Sequence, residues 1–122
     1  MQIKVSRDVF RLAEVFTISR GSRTAAEVLT VTVTDGAISG RGECVPYARY
    51  SETLESVEQQ ILALPDKFDR ASLQHLMEPG AARNAIDCAL WDLEAKSKAS
   101  RVWKLAGLPA PKPEITAYTL SL

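Results

Sequence analysis

The sequence predicts an α+β fold, a three-stranded antiparallel meander followed by a helical bundle. Three observations carry this. Apolar residues recur at period two through the first third of the chain, an Asp-Gly pair separates two such runs, and beyond Pro46 the period becomes helical. With 122 residues, 46% of them apolar, the chain is long enough to bury a core without disulfide or metal staples. Its 15 basic and 15 acidic side chains cancel, which removes the electrostatic case for nucleic acid or an anionic membrane as partner.

The strands come first. Ile3 and Val5, Phe10 and Leu12, then Phe16 and Ile18 alternate as half-buried strands do. Residues 28–34, Val-Leu-Thr-Val-Thr-Val-Thr, place Leu29, Val31 and Val33 on one face and Thr30, Thr32 and Thr34 on the other. Asp35-Gly36 then reads as a two-residue hairpin, because both residue types tolerate positive φ. The return strand runs from Ala37 to about Val45, where Gly40 and Gly42 mark a close backbone approach or a bulge. Pro46 closes the sheet.

The helices follow. Ser51 is placed to cap a helix whose Leu54, Val57 and Ile61 share one face. Glu52, Glu55, Glu58 and Gln59 then read as its solvated side rather than as an acid–base pair. Pro65-Asp66 ends it. A short helix over Ser72 to Met77 carries His75, the single histidine, with no nucleophile or carboxylate pattern beside it. From Gly80 to Lys98, Ala82, Ala85, Ile86, Ala89, Leu90 and Leu93 form one apolar stripe. A second stripe of Cys88, Trp91 and Ala95, with Asn84, runs along the opposite side, so a second packing partner is expected. Asp87 and Asp92 on this helix are about 140° apart and cannot converge as a dyad. Ser100 caps a short helix through Leu105, stopped by Gly107 and Pro109. Pro109, Pro111 and Pro113 make a stiff connector to a strand, Ile115 to Leu122.

Several classes are excluded. Met1 to Arg7 lacks the apolar core of a signal peptide, and no apolar run approaches the ~18 residues of a membrane span. Cys44 and Cys88 stand alone, without CxxC or Cys/His spacing, as free thiols in a reducing cytoplasm. Gly36, Gly40 and Gly42 do not form a dinucleotide fingerprint, and no phosphate-loop motif exists. Arg20 and Arg23 flank Gly21-Ser22. By spacing alone they read first as solvated loop charges, with a bidentate carboxylate clamp as the alternative.

Phe16–Arg23, Gly40–Glu52 and Gly80–Lys96 together resemble the N-terminal capping domain of the enolase superfamily, in its muconate-lactonizing branch, and within it the dipeptide (L-Ala-D/L-Glu) epimerases. Phe16-Thr-Ile-Ser-Arg-Gly-Ser-Arg23 resembles the first mobile active-site loop. Gly40-Arg-Gly-Glu-Cys-Val-Pro-Tyr-Ala-Arg-Tyr-Ser-Glu52 resembles the strand and second loop of the epimerases. Gly80-Ala-Ala-Arg-Asn-Ala-Ile-Asp-Cys-Ala-Leu-Trp-Asp-Leu-Glu-Ala-Lys96 resembles the long capping helix.

That resemblance implies a division into a capping, substrate-specificity domain over residues 1–110 and a linker with the first barrel strand over 111–122. A (β/α)8 barrel needs roughly 200 residues or more, so none fits in this chain. In the superfamily a base removes the proton α to a carboxylate while Mg²⁺ stabilises the enediolate. The family's base and metal ligands lie on later barrel strands, so no catalytic or metal-ligating residue is assigned here, and the chain alone is expected to be inactive. The implied substrate-binding residues are Arg20 or Arg23 for the distal carboxylate of an acidic dipeptide, Tyr47 and Tyr50 for excluding water, and Thr119 and Ser121 on the site floor. The implied partner is the missing barrel. An exposed strand at 115–122 would also permit self-association. Two alternatives stand beside this: a non-catalytic binding or scaffold module of the same fold, and the cap of a muconate cycloisomerase or an o-succinylbenzoate synthase.

Overall fold

Strands β1 (Gln2–Ile18), β2 (Gly21–Asp35) and β3 (Ile38–Cys44) form one antiparallel sheet in the order β1-β2-β3, the meander expected from the alternation. The computed structural model describes residues 1–18 and 21–118, so the expectations for Arg20, Thr119 and Ser121 lie outside the described residues. Leu29, Val31 and Val33 are fully buried, as their shared face requires. The threonine face is partly covered as well. Thr30 is buried, and the Thr34 hydroxyl bonds that of Ser39 across the β2–β3 pair at 2.9 Å.

The hairpin lies one residue later than expected. Asp35 pairs with Ile38, so the two-residue loop is Gly36-Ala37, and Gly36 takes φ +59°. A turn that needs positive φ only at its first loop position places the residue without a Cβ there. The β2–β3 register then runs unbroken from Asp35↔Ile38 to Leu29↔Cys44. Gly40 and Gly42 therefore mark a close approach and not a bulge.

The bulge sits elsewhere. Arg11 pairs with Ala25 and Phe16 with Arg23, so residues 12–15 of β1 stand opposite Thr24 alone. This excess on one strand bends a two-stranded ribbon that continues past the end of β3. Ile3 and Val5 near its base pack on the core, while Phe10 and Phe16 are exposed. The half-burial expected for those two phenylalanines fails because β3 ends at Cys44, opposite Leu29, and leaves the outer ribbon beyond the sheet.

Four helices follow a 3-10 turn at Ala48–Tyr50: α1 (Leu54–Leu62), α2 (Arg70–Leu76), α3 (Ala81–Ser97) and α4 (Val102–Leu105). Val57 and Ile61 of α1, Leu73 of α2 and the complete first stripe of α3 meet the buried face of the sheet in one core.

Three helix starts differ from expectation. Ser51 is not the cap of α1. It adopts φ +59°, the left-handed region, and ends the 3-10 turn, whereas an N-cap needs extended backbone. Thr53 holds that role in a reciprocal box, its hydroxyl accepting from Ser56 N at 3.0 Å while Ser56 Oγ accepts from Thr53 N at 2.9 Å. Likewise α2 starts earlier than Ser72, which serves as the box partner of the cap Asp69. Arg101, not Ser100, precedes α4. The Ser100 amide is instead bonded to Ala95 O at 2.8 Å, at the end of α3. After α4, residues 109–118 form neither helix nor strand, so the strand expected from Ile115 is absent over 115–118.

Candidate functional site

The chain leaves β3 at Cys44, and two clefts adjoin the next residue, Val45. One, about 530 Å³, is lined by Arg23 and Thr24 of the ribbon and by Val45, Pro46, Thr53 and Leu54. The other, about 610 Å³, is lined by Cys44, Val45, Tyr47, Tyr50, Glu52 and Gly80. Val45 belongs to both. The structure thus brings Arg23 and the Tyr47–Tyr50 turn to neighbouring clefts, although they are far apart in sequence.

Arg23 is exposed at the first cleft and, among the described residues, makes no ion pair. Tyr47 and Tyr50 have ring centroids 5.9 Å apart at 50°, an edge-tilted pair. Tyr50 is 72% exposed. An apolar aromatic body standing in water at a cleft mouth is suited to cover whatever enters.

Glu52 shapes this turn, and the sequence reading as one of several solvated glutamates missed it. Its Oε2 accepts from Tyr47 N at 3.1 Å and its Oε1 from Ala81 N, at the start of α3, at 2.7 Å. Tyr47 O in turn accepts from Tyr50 N at 2.8 Å and from Glu52 N at 3.4 Å. The only sequence signal was an acidic residue just before a helix. Nothing local pointed to Ala81.

Glu55 and Glu58 are also more than a solvated face. Arg7 of β1 donates to Glu55 Oε1 at 2.7 Å and to Glu58 Oε2 at 2.6 and 3.1 Å, tying α1 to the sheet. These bonds hold the Arg7 guanidinium above its ordinary value, Glu58 contributing most. The Glu55 carboxyl lies below its own, first through its backbone amide and then through Arg7.

Both cysteines are free thiols, Cys44 buried and Cys88 exposed. Burial, followed by the charges of Glu52 and Glu43, pushes the Cys44 thiol up to about 11. His75 is exposed on α2.

The second stripe of α3 is largely uncovered within the described residues. Asn84 and Cys88 are exposed, and only Ala95 is buried. Trp91 instead lies beneath the Arg70 guanidinium, 3.4 Å from its ring centroid, and Arg70 donates to Glu94 at 2.7 and 2.9 Å. Asp92 accepts from Arg41 N at 2.8 Å and from Lys96 at 2.7 Å, a structural engagement.

Among the described residues no group of three or more His, Cys, Asp or Glu side chains could hold a metal ion. Among them, too, no helix is long and apolar enough to cross a membrane.

Residues 1–107 match the family model for the mandelate racemase / muconate lactonizing enzyme N-terminal domain. The chain is 41% identical over 122 residues to the L-Ala-D/L-Glu epimerase of Escherichia coli (strain K12), an alignment covering 97% of the chain and 38% of that relative. It superposes with a TM-score of 0.88 and 50% identity on an enolase family member from Agrobacterium tumefaciens with homology to dipeptide epimerases, solved with bound sodium and L-Ala-L-Glu. That superposition covers 98% of this chain and 38% of the other. A dipeptide epimerase from Enterococcus faecalis V583, complexed with Mg and L-Leu-L-Tyr, superposes with a TM-score of 0.71 and 25% identity over 85% of this chain and 33% of that one. The chain therefore spans little more than a third of the length of these relatives.

Proposed function

Because the chain belongs to the mandelate racemase / muconate lactonizing enzyme N-terminal domain family, we propose that it is the substrate-closing cap of a dipeptide epimerase acting on L-Ala-D/L-Glu-type dipeptides. The observation that carries this is the placing of Arg23 and the Tyr47–Tyr50 turn on two clefts that share Val45. It is supported by the likeness to a structure that holds L-Ala-L-Glu.

The reaction is a 1,1-proton transfer: the proton α to a carboxylate leaves and returns on the opposite face of the same carbon. In this reading the described residues of the cap hold neither base nor metal. A barrel portion would supply both, a Mg²⁺ ion held there offering positive charge to the substrate carboxylate. Relatives complexed with Mg and a dipeptide support that assignment. Arg23 makes a bidentate, charge-assisted contact with the distal carboxylate of the substrate's glutamyl side chain, and Arg20 is the second candidate for it. Tyr47 and Tyr50 close over the site and exclude water, which strengthens every electrostatic contact inside. The cap spans residues 1–110, and residues 111–122 lead into the barrel with Thr119 and Ser121 on the site floor. Two free thiols accord with a reducing compartment such as the cytoplasm.

The test is turnover. The full-length polypeptide, incubated with L-Ala-L-Glu in D₂O, should exchange the glutamyl α-proton and generate the D-epimer, both visible by proton NMR. Absence of turnover with every acidic dipeptide tried would overturn the assignment. Conversion of a cycloisomerase or synthase substrate instead would place the cap in a sister branch.

A further inference from the structure

We infer that Glu52 is the positioning residue of the tyrosine turn, a carboxylate brace that sets where Tyr47 and Tyr50 stand over the substrate; this rests on the cap reading above. The 3-10 turn at Ala48–Tyr50 buries none of its residues, so packing does not fix it. What fixes it is polar. Glu52 and Tyr47 form a closed ring, the side chain accepting from Tyr47 N at 3.1 Å and the Glu52 amide donating back to Tyr47 O at 3.4 Å. The left-handed Ser51, φ +59°, provides the reversal that lets this ring close.

The second oxygen anchors the ring to the rigid part of the molecule. Glu52 Oε1 accepts at 2.7 Å from Ala81 N, one of the orphan donors at the start of the longest helix. A negative charge is favoured there by the helix dipole. Gly80 leaves the necessary space, since a Cβ on it would come within 2.9 Å of that oxygen. The chemistry demands a carboxylate. Both partners are donors, and an ionised carboxylate is acceptor-only at both oxygens, whereas an amide would turn its NH₂ toward one of the two N–H groups.

Two measurements test this. In Glu52→Gln, amide exchange at Tyr47 and Ala81 should accelerate about tenfold or more, while Val31 and Ala89 in the core keep their protection. Gly80→Ala, which crowds the same oxygen, should do likewise and serves if Glu52→Gln folds poorly. In the full-length enzyme, Glu52→Gln should raise KM for L-Ala-L-Glu about tenfold with kcat held within about threefold. Unchanged exchange at Tyr47, or equal loss of protection throughout the core, overturns the inference, as does a KM equal to wild type. If the wild-type enzyme turns over no dipeptide, the cap reading falls while the exchange measurement still decides whether Glu52 holds the turn.

Discussion

Gly40 lies against the backbone of Ala89, whose carbonyl oxygen occupies the space that a side chain at position 40 would need. Two residues on, Gly42 stands in the same relation to Ala85. Two residues of strand advance about 6.6 Å and four residues of helix about 6 Å, so the two contacts keep pace as α3 runs antiparallel to β3. The glycines set how closely the capping helix lies on its sheet.

Gly40→Ala should therefore destabilise the fold by roughly 1–3 kcal/mol or more, since the obstructing atoms are helix backbone and cannot swing away. Urea unfolding followed by circular dichroism measures it. A midpoint equal to that of wild type would contradict the close approach.

Thr53→Ala should cost about 1 kcal/mol through loss of the N-cap of α1, whereas Ser51→Ala should stay within about 0.5 kcal/mol. The reverse ranking in thermal or urea unfolding would return the cap to Ser51.

At neutral pH one thiol equivalent, Cys88, should react promptly with a disulfide reagent in the native chain. Cys44 should react only after unfolding, because it is buried and its thiol is pushed up to about 11, leaving very little thiolate. Rapid titration of two equivalents in the folded chain would refute this.

The Glu94 carboxyl is held below its ordinary value by Lys98 first and Arg70 second. A depressed carboxyl contributes stability above its unfolded value, near 4.5, and that contribution is lost as pH falls through the lower folded value. Arg70→Met should flatten the acid limb of the stability profile below about pH 4.5. It should also alter Trp91 fluorescence, since the guanidinium over that ring is gone. An acid limb identical to wild type would show that Arg70 does not hold Glu94.

In the full-length enzyme, Arg23→Met should raise KM for L-Ala-L-Glu about tenfold or more and leave L-Ala-L-Leu nearly unaffected, because only the former offers a distal carboxylate. Equal effects on both dipeptides would remove Arg23 from side-chain recognition and leave Arg20 as the candidate.

Much of this molecule is written locally. The alternation of Leu29, Val31 and Val33, the stripe from Ala82 to Leu93 and the glycines at 40 and 42 each follow from the period of one element, and each is where it was expected. The site was less legible. Arg23, Tyr47 and Tyr50 stood out through family resemblance, and spacing alone left Arg23 a solvated loop charge. What only the tertiary structure decided are contacts between residues distant in sequence: Glu52 with Ala81, Arg7 with Glu55 and Glu58, Arg70 with Trp91, and the clefts that share Val45. Periodicity tells which face of an element is buried. It does not tell which donor on another element will reach a carboxylate, because that depends on where the chain crosses itself. Here α3, seated on Gly40 and Gly42, sets that crossing and brings Ala81 within 2.7 Å of Glu52.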